Sequence, residues 1–269
     1  MHLKRWLTAF VAVPVLAALI YKGPAWSFTG LIMIIAVLAY WEYFTVVSGG
    51  SKASVLKPVP LAGGAAGLAI IAAALYSSAE AVMLLVFGGL FAGAVFSMPA
   101  YRSTPHIMDT VARQAQGLVY IFVPVSALVL IRTGPQGVTW IFFLVFIVFL
   151  GDAAAFYAGT YLGSHKLAPS ISPGKSVEGA IGGLAANIVV AVVFKTLFLP
   201  GISTIGAAVF AVCAGAAGQI GDLFESELKR RSAIKDSGSI LPGHGGMLDR
   251  IDALLFAAPV ALAFKLFIF

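Results

Sequence analysis

The run VTWIFFLVFIVFLGDAAAFYAGTYLG, residues Val138–Gly163, shows which architecture this chain adopts. A helix needs roughly 20 apolar residues to cross the hydrocarbon core of a bilayer. This run is long enough, and Asp152 is its single charged residue. A carboxyl group inside such a run is costly unless it faces a cavity or a partner. The run therefore predicts a membrane-spanning helix that carries a functional acid.

The whole sequence has the same apolar character. Its 269 residues are 60% apolar and 10% charged, with a mean hydropathy of +1.00, whereas soluble domains carry about 25% charged residues. The apolar residues form long runs rather than the short alternating segments of a β-barrel. We therefore expect an all-α, polytopic integral membrane protein. The single cysteine, Cys213, lies in an apolar run and excludes a disulfide framework.

About nine membrane-spanning helices are expected. The first resembles a signal peptide, with Lys4 and Arg5 before its apolar core, but no clear cleavage site follows, so we interpret it as a retained helix. The candidate spans are Trp6–Tyr21, Trp26–Ser48, Leu61–Tyr76, Ala81–Met98, Gln116–Ile131, Val138–Gly163, Gly179–Pro200, Ser203–Phe224 and Asp249–Phe269.

The distribution of Lys and Arg predicts the orientation. With the N-terminus in the cytoplasm, thirteen of the 17 basic residues lie inside and four lie outside, at Lys22, Arg132, Lys195 and Lys265. This asymmetry predicts a multi-pass protein of the cell (inner) membrane with a cytoplasmic active face and an external C-terminus. In such a protein, the net charge of +6 indicates anionic lipid and topology rather than a nucleic-acid partner.

A single membrane domain is the simplest organisation, because no internal repeat, linker or soluble domain interrupts the helices. Nearly all the suggestive polar residues follow Gly151. We therefore expect residues 1–150 to form a scaffold and candidate interface, and residues 151–269 to carry the active site.

Charges and glycines gather in the stretch SELKRRSAIKDSGSILPGHGGMLDRID, residues Ser226–Asp252. On the helix that leads into it, Asp222, Ser226 and Lys229 share a face, since their spacing is i, i+4 and i+7. One interpretation is structural, with Asp222 pairing with Lys229 or a neighbour to anchor the helix end. The other is functional, because carboxylates near a membrane boundary usually line a cavity.

The glycines of Gly243–Gly246 let backbone N–H groups approach an anion. Asp249 and Asp252 follow at the start of the last helix, where capping would explain both. Together with Asp222, however, they offer the oxygen ligands that Mg²⁺ prefers, and Mg²⁺ usually binds one or two carboxylates plus substrate phosphates. The combination with the basic residues around it predicts a metal-assisted phosphate site.

The segment Ser172–Ser176, SPGKS, is predicted to be a short loop, with Glu178 at the following helix start. It does not match a Walker A loop, because Ala168 replaces the first glycine and no strand precedes it. A simple turn and helix cap remains the alternative. Glu42, near the inner end of the second span, is interpreted as a structural partner or interface group.

The polar stretch also has a recognisable order: a serine, a Lys-Arg pair, a Lys-Asp pair, then H-G-G and D-R-x-D. The residues are Ser226, Lys229-Arg230, Lys235-Asp236, His244-Gly245-Gly246, Asp249-Arg250 and Asp252. This pattern closely resembles the signature of the phosphatidate cytidylyltransferases, also called CDP-diacylglycerol synthases. The resemblance is dense over Gly151–Asp252 and mainly hydropathic before it. One departure is that Gly174-Lys175-Ser176 stands where that family commonly has a second basic residue and a threonine.

The resemblance implies that CTP and phosphatidic acid react to give CDP-diacylglycerol and pyrophosphate, in phospholipid biosynthesis. It further implies that Asp222 and Asp249 hold Mg²⁺, with room for a second cation, and that Lys229 joins them in catalysis. The expected substrate-binding residues are Arg230, Lys235, Asp236, His244, Gly245, Gly246, Arg250, Ser172, Lys175 and Ser226. The expected orienting residues are Asp152, Glu178 and Asp252. The partners would be CTP, phosphatidic acid and membrane lipid, while the oligomeric state, including a homodimer, is left open.

Two other functions compete with this hypothesis. A CTP-dependent polyprenol or phytol kinase would share a membrane CTP site but would lack the full signature. A transporter could also carry acids inside its membrane helices, but it should show two similar halves, which are not evident in the sequence.

Overall fold

The computed structural model of the chain describes residues 14–76, 78–232, 234, 237–238 and 245–268. Residues 14–22 are helical, and nine α-helices follow in the described part. They are α1 (Ala25–Val47), α2 (Pro58–Leu75), α3 (Ala79–Ser97), α4 (Ile107–Gly117), α5 (Val123–Thr133), α6 (Gly137–Leu162), α7 (Val177–Phe198), α8 (Thr204–Arg231) and α9 (Leu248–Phe267). Two short strands, β1 (Lys166–Ala168) and β2 (Ser172–Ser176), form a hairpin between α6 and α7. The expected all-α class is confirmed.

Seven helices in the described part are long and apolar enough to cross a membrane. They include α1–α3 and α6–α8, and a continuous helical segment over Ile107–Thr133 that joins α4 to α5. Each corresponds to one predicted span. Residues 6–13 of the predicted span Trp6–Tyr21 lie outside the described residues, and its second half is helical. Helix α9 is not among the seven, since its 20 residues carry two aspartates, an arginine and a lysine.

Several helix ends in the structure differ from the predicted ones. Helix α8 continues to Arg231 instead of ending near Phe224, and within this extension Lys229 forms an i,i+4 ion pair with Glu225. Helix α4 begins at Ile107 rather than Gln116, because its first turns are amphipathic and bury Ile107 and Val111. Hydropathy alone therefore gave spans that were too short wherever a helix extends beyond its apolar part.

Helix starts follow ordinary capping chemistry. The hydroxyl oxygens of Ser78, Ser176 and Ser203 accept hydrogen bonds from the backbone N–H groups of residues three positions later, at 3.0–3.1 Å. Pro58 opens α2, where a missing N–H does no harm. Between α4 and α5, residues Leu118–Phe122 form a π-helical turn. Pro124 lies two residues beyond this turn, and its missing N–H removes one i→i−4 bond of the helix there.

The described chain divides into two compact units. Unit 1 contains Met1–Thr133 and Arg231–Arg250, and unit 2 contains Gly134–Arg230 and Ile251–Phe269. Segment 231–250 thus belongs with the N-terminal helices. The expected single membrane domain, with a scaffold over residues 1–150 and the active site in residues 151–269, stays a prediction.

Unit 1 is built around an aromatic cluster on α1. The Tyr40 ring lies 5.1 Å from the Phe44 ring and 5.0 Å from the Phe122 ring, measured between centroids. The Tyr40 hydroxyl donates to the Pro60 carbonyl at 3.0 Å, which ties α1 to α2. Gly67 of α2 packs directly on the Phe122 ring, where a Cβ would overlap it. Small residues let membrane helices approach in this way.

Unit 2 joins α6, α7, α8 and α9. The Phe143 ring of α6 lies 4.8 Å from both Phe194 of α7 and Phe210 of α8, and Phe210 lies 5.5 Å from Phe264 of α9. Asn187 of α7 is buried between two glycines, Gly151 and Gly215, that leave room for its amide. This packing fixes the four helices whose polar residues form the site below.

Candidate active site

The segment Ser172–Ser176 is the strand β2, so the prediction of a loop there was wrong. It pairs antiparallel with β1, with Lys166 opposite Ser176 and Ala168 opposite Ser172. A two-stranded hairpin is at best marginally stable alone. Here the Arg230 guanidinium of α8 donates to the Ile171 carbonyl at 3.1 Å, and Ser176 caps α7. These anchors stabilise a pairing that the Pro- and Gly-containing sequence did not predict.

Lys175 on β2 forms an ion pair with Asp222 on α8. Its Nζ lies 2.6 Å from Asp222 Oδ2, and the two side chains are 28% and 35% exposed. The sequence left two roles open for Asp222: a structural ion pair with Lys229 or a neighbour, and a functional position that lines a cavity. In the structure the basic partner of Asp222 is Lys175. The expected nucleotide or lipid contact Lys175 and the expected cation ligand Asp222 therefore lie together.

A cavity of about 420 Å³ opens beside this pair. Part of its wall comes from α6, α7 and α8, and the hairpin contributes Leu167, Ser172, Gly174, Lys175 and Ser176. Both Asp152 and Asp222 line it. The single acid in the apolar run of α6 thus faces a cavity in unit 2, as its position in a membrane helix suggested.

Asp252 of α9 lies near the same acids. The charge of Asp222 acts on the carboxyl groups of both Asp152 and Asp252. The backbones of α8 and α9 approach closely here: a Cβ added to Gly221 would lie 2.5 Å from the Asp252 carbonyl oxygen. Acids from α6, α8 and α9 therefore lie near one another, and Asp222 among them pairs with the partly exposed Lys175.

The remaining predicted residues of α8 have varied surroundings. Lys229 pairs with the buried carboxyl group of Glu225. Arg230 is exposed and holds the hairpin, and Ser226 is half-buried. Lys229 and Arg230 thus have protein partners in the described structure, and their substrate roles stay predictions.

Glu178, in the first turn of α7, organises the residues before β1. Its carboxylate accepts hydrogen bonds from the Ser164 and His165 backbone N–H groups at 3.1–3.2 Å and lies 2.6 Å from His165 Nδ1. It was expected to orient the site. The structure places it against the entry to the hairpin that carries Lys175.

In unit 1, Asp249 organises the end of the polar loop. Its Oδ2 accepts hydrogen bonds from the Ser237 N–H at 3.1 Å, the Ser237 hydroxyl at 3.0 Å and the Gly246 N–H at 2.8 Å. Gly245 has φ of +78°, a conformation that suits glycine. Arg250 is exposed at the start of α9. The predicted site residues Lys235, Asp236 and His244 lie outside the described residues.

Sequence reasoning treated Glu42 as a structural or interface group and missed how closely it binds this loop. Its side chain is 2% exposed, and its Oε2 accepts hydrogen bonds from the Ser237 hydroxyl at 3.2 Å and the Leu248 N–H at 2.8 Å. The sequence feature that could have indicated this role is that Glu42 is a lone acid in an apolar span. Gln219 was also missed; it lines the cavity and donates to the Ala180 carbonyl at 3.0 Å.

The donor set near the cavity suits a hard cation. Asp222 already accepts a positive group at 2.6 Å and is partly exposed. In the described part of the chain, no group of three or more His, Cys, Asp or Glu residues could hold a metal ion. Mg²⁺ is usually bound by one or two carboxylates together with phosphates and water, so Asp222 fits it. Asp222 and Asp249 belong to different units, and a cation shared by them stays a prediction.

Comparison with known proteins agrees with these features. The model of the cytidylyltransferase family matches residues 3–268. Phosphatidate cytidylyltransferase of Staphylococcus epidermidis (strain ATCC 35984) is 31% identical over 278 residues, covering 95% of this chain and 96% of the relative. The enzyme of that name from Thermotoga maritima is 30% identical over 283 residues, covering 97% and 96%. The Bacillus subtilis (strain 168) enzyme is 44% identical over 123 residues, and this alignment spans about half of each protein, 46%.

Proposed function

Because this chain belongs to the cytidylyltransferase family, we propose that it transfers the cytidylyl group of CTP to phosphatidic acid. The products are CDP-diacylglycerol and pyrophosphate. The observation that carries the proposal is the Lys175–Asp222 pair on the wall of the unit 2 cavity. Names of full-length relatives add support. They also favour this reaction over a lipid-alcohol kinase or a transporter.

The reaction exchanges one phosphoanhydride bond for another. A phosphate oxygen of phosphatidic acid bonds to the α-phosphorus of CTP, and the bond from that phosphorus to the bridging oxygen of pyrophosphate breaks. The attacking oxygen is already anionic, so no strong base is required. The main barrier is the approach of two anions, which positioning and charge neutralisation lower.

The basic residues supply that neutralisation. Lys175 lies on the cavity wall, and its ammonium is positioned by Asp222. Arg230 lies at the end of α8 beside the hairpin turn. A nucleotide phosphate that enters the cavity would draw Lys175 away from Asp222 and free a carboxylate oxygen. The Gly-rich segment 243–246 and Lys235 are proposed to bind the triphosphate as well.

Mg²⁺ is the proposed cofactor, with Asp222 and Asp249 as its ligands and a second cation beside it. When bound, it would neutralise phosphate oxygens and stabilise the departing pyrophosphate. Asp222 is suited to this role by its partial exposure and by the cation it already accepts. Asp152 and Asp252 lie near Asp222 and are proposed to orient the cation site.

The location follows from the same chemistry. The lipid substrate stays in the bilayer and CTP comes from the cytoplasm, so the polar ends of α6, α8 and α9 are proposed to face the cytoplasmic side of the cell membrane. The thirteen-to-four division of basic residues supports this orientation. The external C-terminus belongs to the proposal as well.

A labelling experiment with two forms of CTP tests the reaction. The purified protein in detergent micelles is given phosphatidic acid, Mg²⁺ and CTP labelled with ³²P at either the α- or the γ-phosphate. We expect the α label in the chloroform-soluble lipid and the γ label in pyrophosphate. A γ label in the lipid would instead identify a kinase. No label in lipid from either form would refute both activities.

A further inference from the structure

Glu42 is a buried acid that lies outside the cavity. It is the single charged residue of α1 and is 2% exposed. An ionisable side chain in a membrane-spanning helix is costly and usually marks a functional position. Unit 1 places this one against the segment that runs into α9.

The contacts of Glu42 fix two points of that segment. Its Oε2 accepts from the Ser237 hydroxyl and from the N–H of Leu248, the first residue of α9. The backbones of Gly238 and Gly246 pack so closely on the carboxyl group that a Cβ at either position would overlap it. Two glycines of the polar stretch therefore leave room for this carboxyl group.

The Ser237 hydroxyl connects Glu42 to Asp249. Its Oγ lies 3.2 Å from Glu42 Oε2 and 3.0 Å from Asp249 Oδ2. A hydroxyl carries one proton, so it donates to one of these acids at a time. The orientation of the Asp249 carboxyl group is thus coupled to Glu42 through one shared hydrogen-bond donor.

We propose that Glu42 is a positioning residue for the cytidylyl-transfer site, acting on Asp249 through Ser237 and through the start of α9. The inference rests on the proposed function in one respect, that Asp249 is a cation ligand. Partners that orient metal ligands typically change metal affinity or activity about 10- to 100-fold when removed. An acid that merely anchors α1 in the fold would leave the Mg²⁺ requirement unchanged.

The first readout is the Mg²⁺ concentration that gives half-maximal cytidylyl transfer. We expect Glu42→Gln and Ser237→Ala each to raise it about tenfold. The double variant should need no higher a Mg²⁺ concentration than the stronger single variant, because both substitutions break the same connection. Two control variants should match the wild type: Glu80→Gln removes an exposed acid from α3, and Thr29→Val removes a buried hydroxyl from α1.

The second readout needs neither substrate nor metal. In a Cys213→Ser background, Met247→Cys introduces a thiol between Gly246 and Leu248, whose N–H groups donate to Asp249 and Glu42. We expect a water-soluble maleimide to label it about tenfold faster when Glu42→Gln is added, because a buried hydrogen-bond acceptor that held the segment is weakened. The Glu80→Gln and Thr29→Val controls should leave the labelling rate unchanged.

The outcomes separate the two proposals. Faster labelling with an unchanged Mg²⁺ requirement would make Glu42 an anchor only and would overturn the positioning role, as would no change in either readout. A wild-type enzyme that transfers cytidylyl groups without Mg²⁺ would overturn the metal role and, with it, the positioning role. If Glu42→Gln fails to accumulate in the membrane, Ser237→Ala decides, since it removes a single hydroxyl.

Discussion

Replacing Asp222 by asparagine separates catalytic from structural roles at the cavity. The substitution keeps the size and shape of the side chain and removes its charge. Asp222 is 35% exposed, and its partner Lys175 is 28% exposed. Ion pairs that are open to solvent contribute about 0–1 kcal/mol to stability. The structure therefore predicts little change in folding from Asp222→Asn.

The effect on turnover should be far larger. A carboxylate that holds Mg²⁺ against the reacting phosphates acts where negative charge accumulates in the transition state. We take about 4 kcal/mol as the loss, and since each 1.36 kcal/mol is about tenfold in rate, kcat should fall about a thousandfold. The melting temperature should fall by less than about 4 °C, because 1 kcal/mol corresponds to roughly 2–4 °C in a chain of this size class.

The assay is transfer of α-labelled CTP to phosphatidic acid at saturating Mg²⁺, with thermal unfolding in detergent measured on the same preparation. Asp109→Asn is the matched control, because Asp109 is an acid with 60% side-chain exposure on α4, outside unit 2. It should retain full activity. If Asp222→Asn keeps more than a tenth of the wild-type rate while folded, Asp222 does not hold a catalytic cation.

Three further predictions follow from other features. Lys175→Met should raise the KM for CTP about 10- to 100-fold, since a charge-assisted phosphate contact is worth roughly 1.5–3 kcal/mol; steady-state kinetics with each substrate varied measures this, and an unchanged KM would contradict it. Gly221→Leu should lower the melting temperature, because even a Cβ there would lie 2.5 Å from the Asp252 carbonyl oxygen; a thermal stability equal to that of the wild type would refute the close helix contact. A cysteine replacing Lys235 in a Cys213-free protein should react with impermeant maleimide only from the cytoplasmic side, and labelling of intact cells from outside would reverse the topology.

Hydropathy predicted the membrane helices well because each apolar run is long and nearly free of charge. It could not predict where α8 ends, since its last turns are polar and an ion pair between Glu225 and Lys229 forms within them. It also missed the hairpin at Ser172–Ser176, because the residues that hold the turn come from elsewhere in the chain. Arg230 supplies the hydrogen bond to that turn, and no local pattern encodes so distant a contact.

The candidate site was predictable as a composition but not as a set of partners. The acids and bases after Gly151 could be selected because charge is rare in an apolar chain. Helix spacing suggested Lys229 or a neighbour on the helix as the partner of Asp222, whereas the structure pairs Asp222 with Lys175 and Lys229 with Glu225. The role of Glu42 was hidden for the same reason, since its partners follow it by about 200 residues.

The placement of segment 231–250 in unit 1 means that neither unit is a continuous piece of polypeptide. A fragment that stops at residue 133 would retain the buried carboxyl group of Glu42 but lose the hydroxyl and N–H donors that satisfy it. A buried polar group without partners costs about 1–3 kcal/mol. Expressing either unit separately would therefore require rejoining the chain, and recombination between relatives at one crossover point before residue 250 would exchange parts of both units at once.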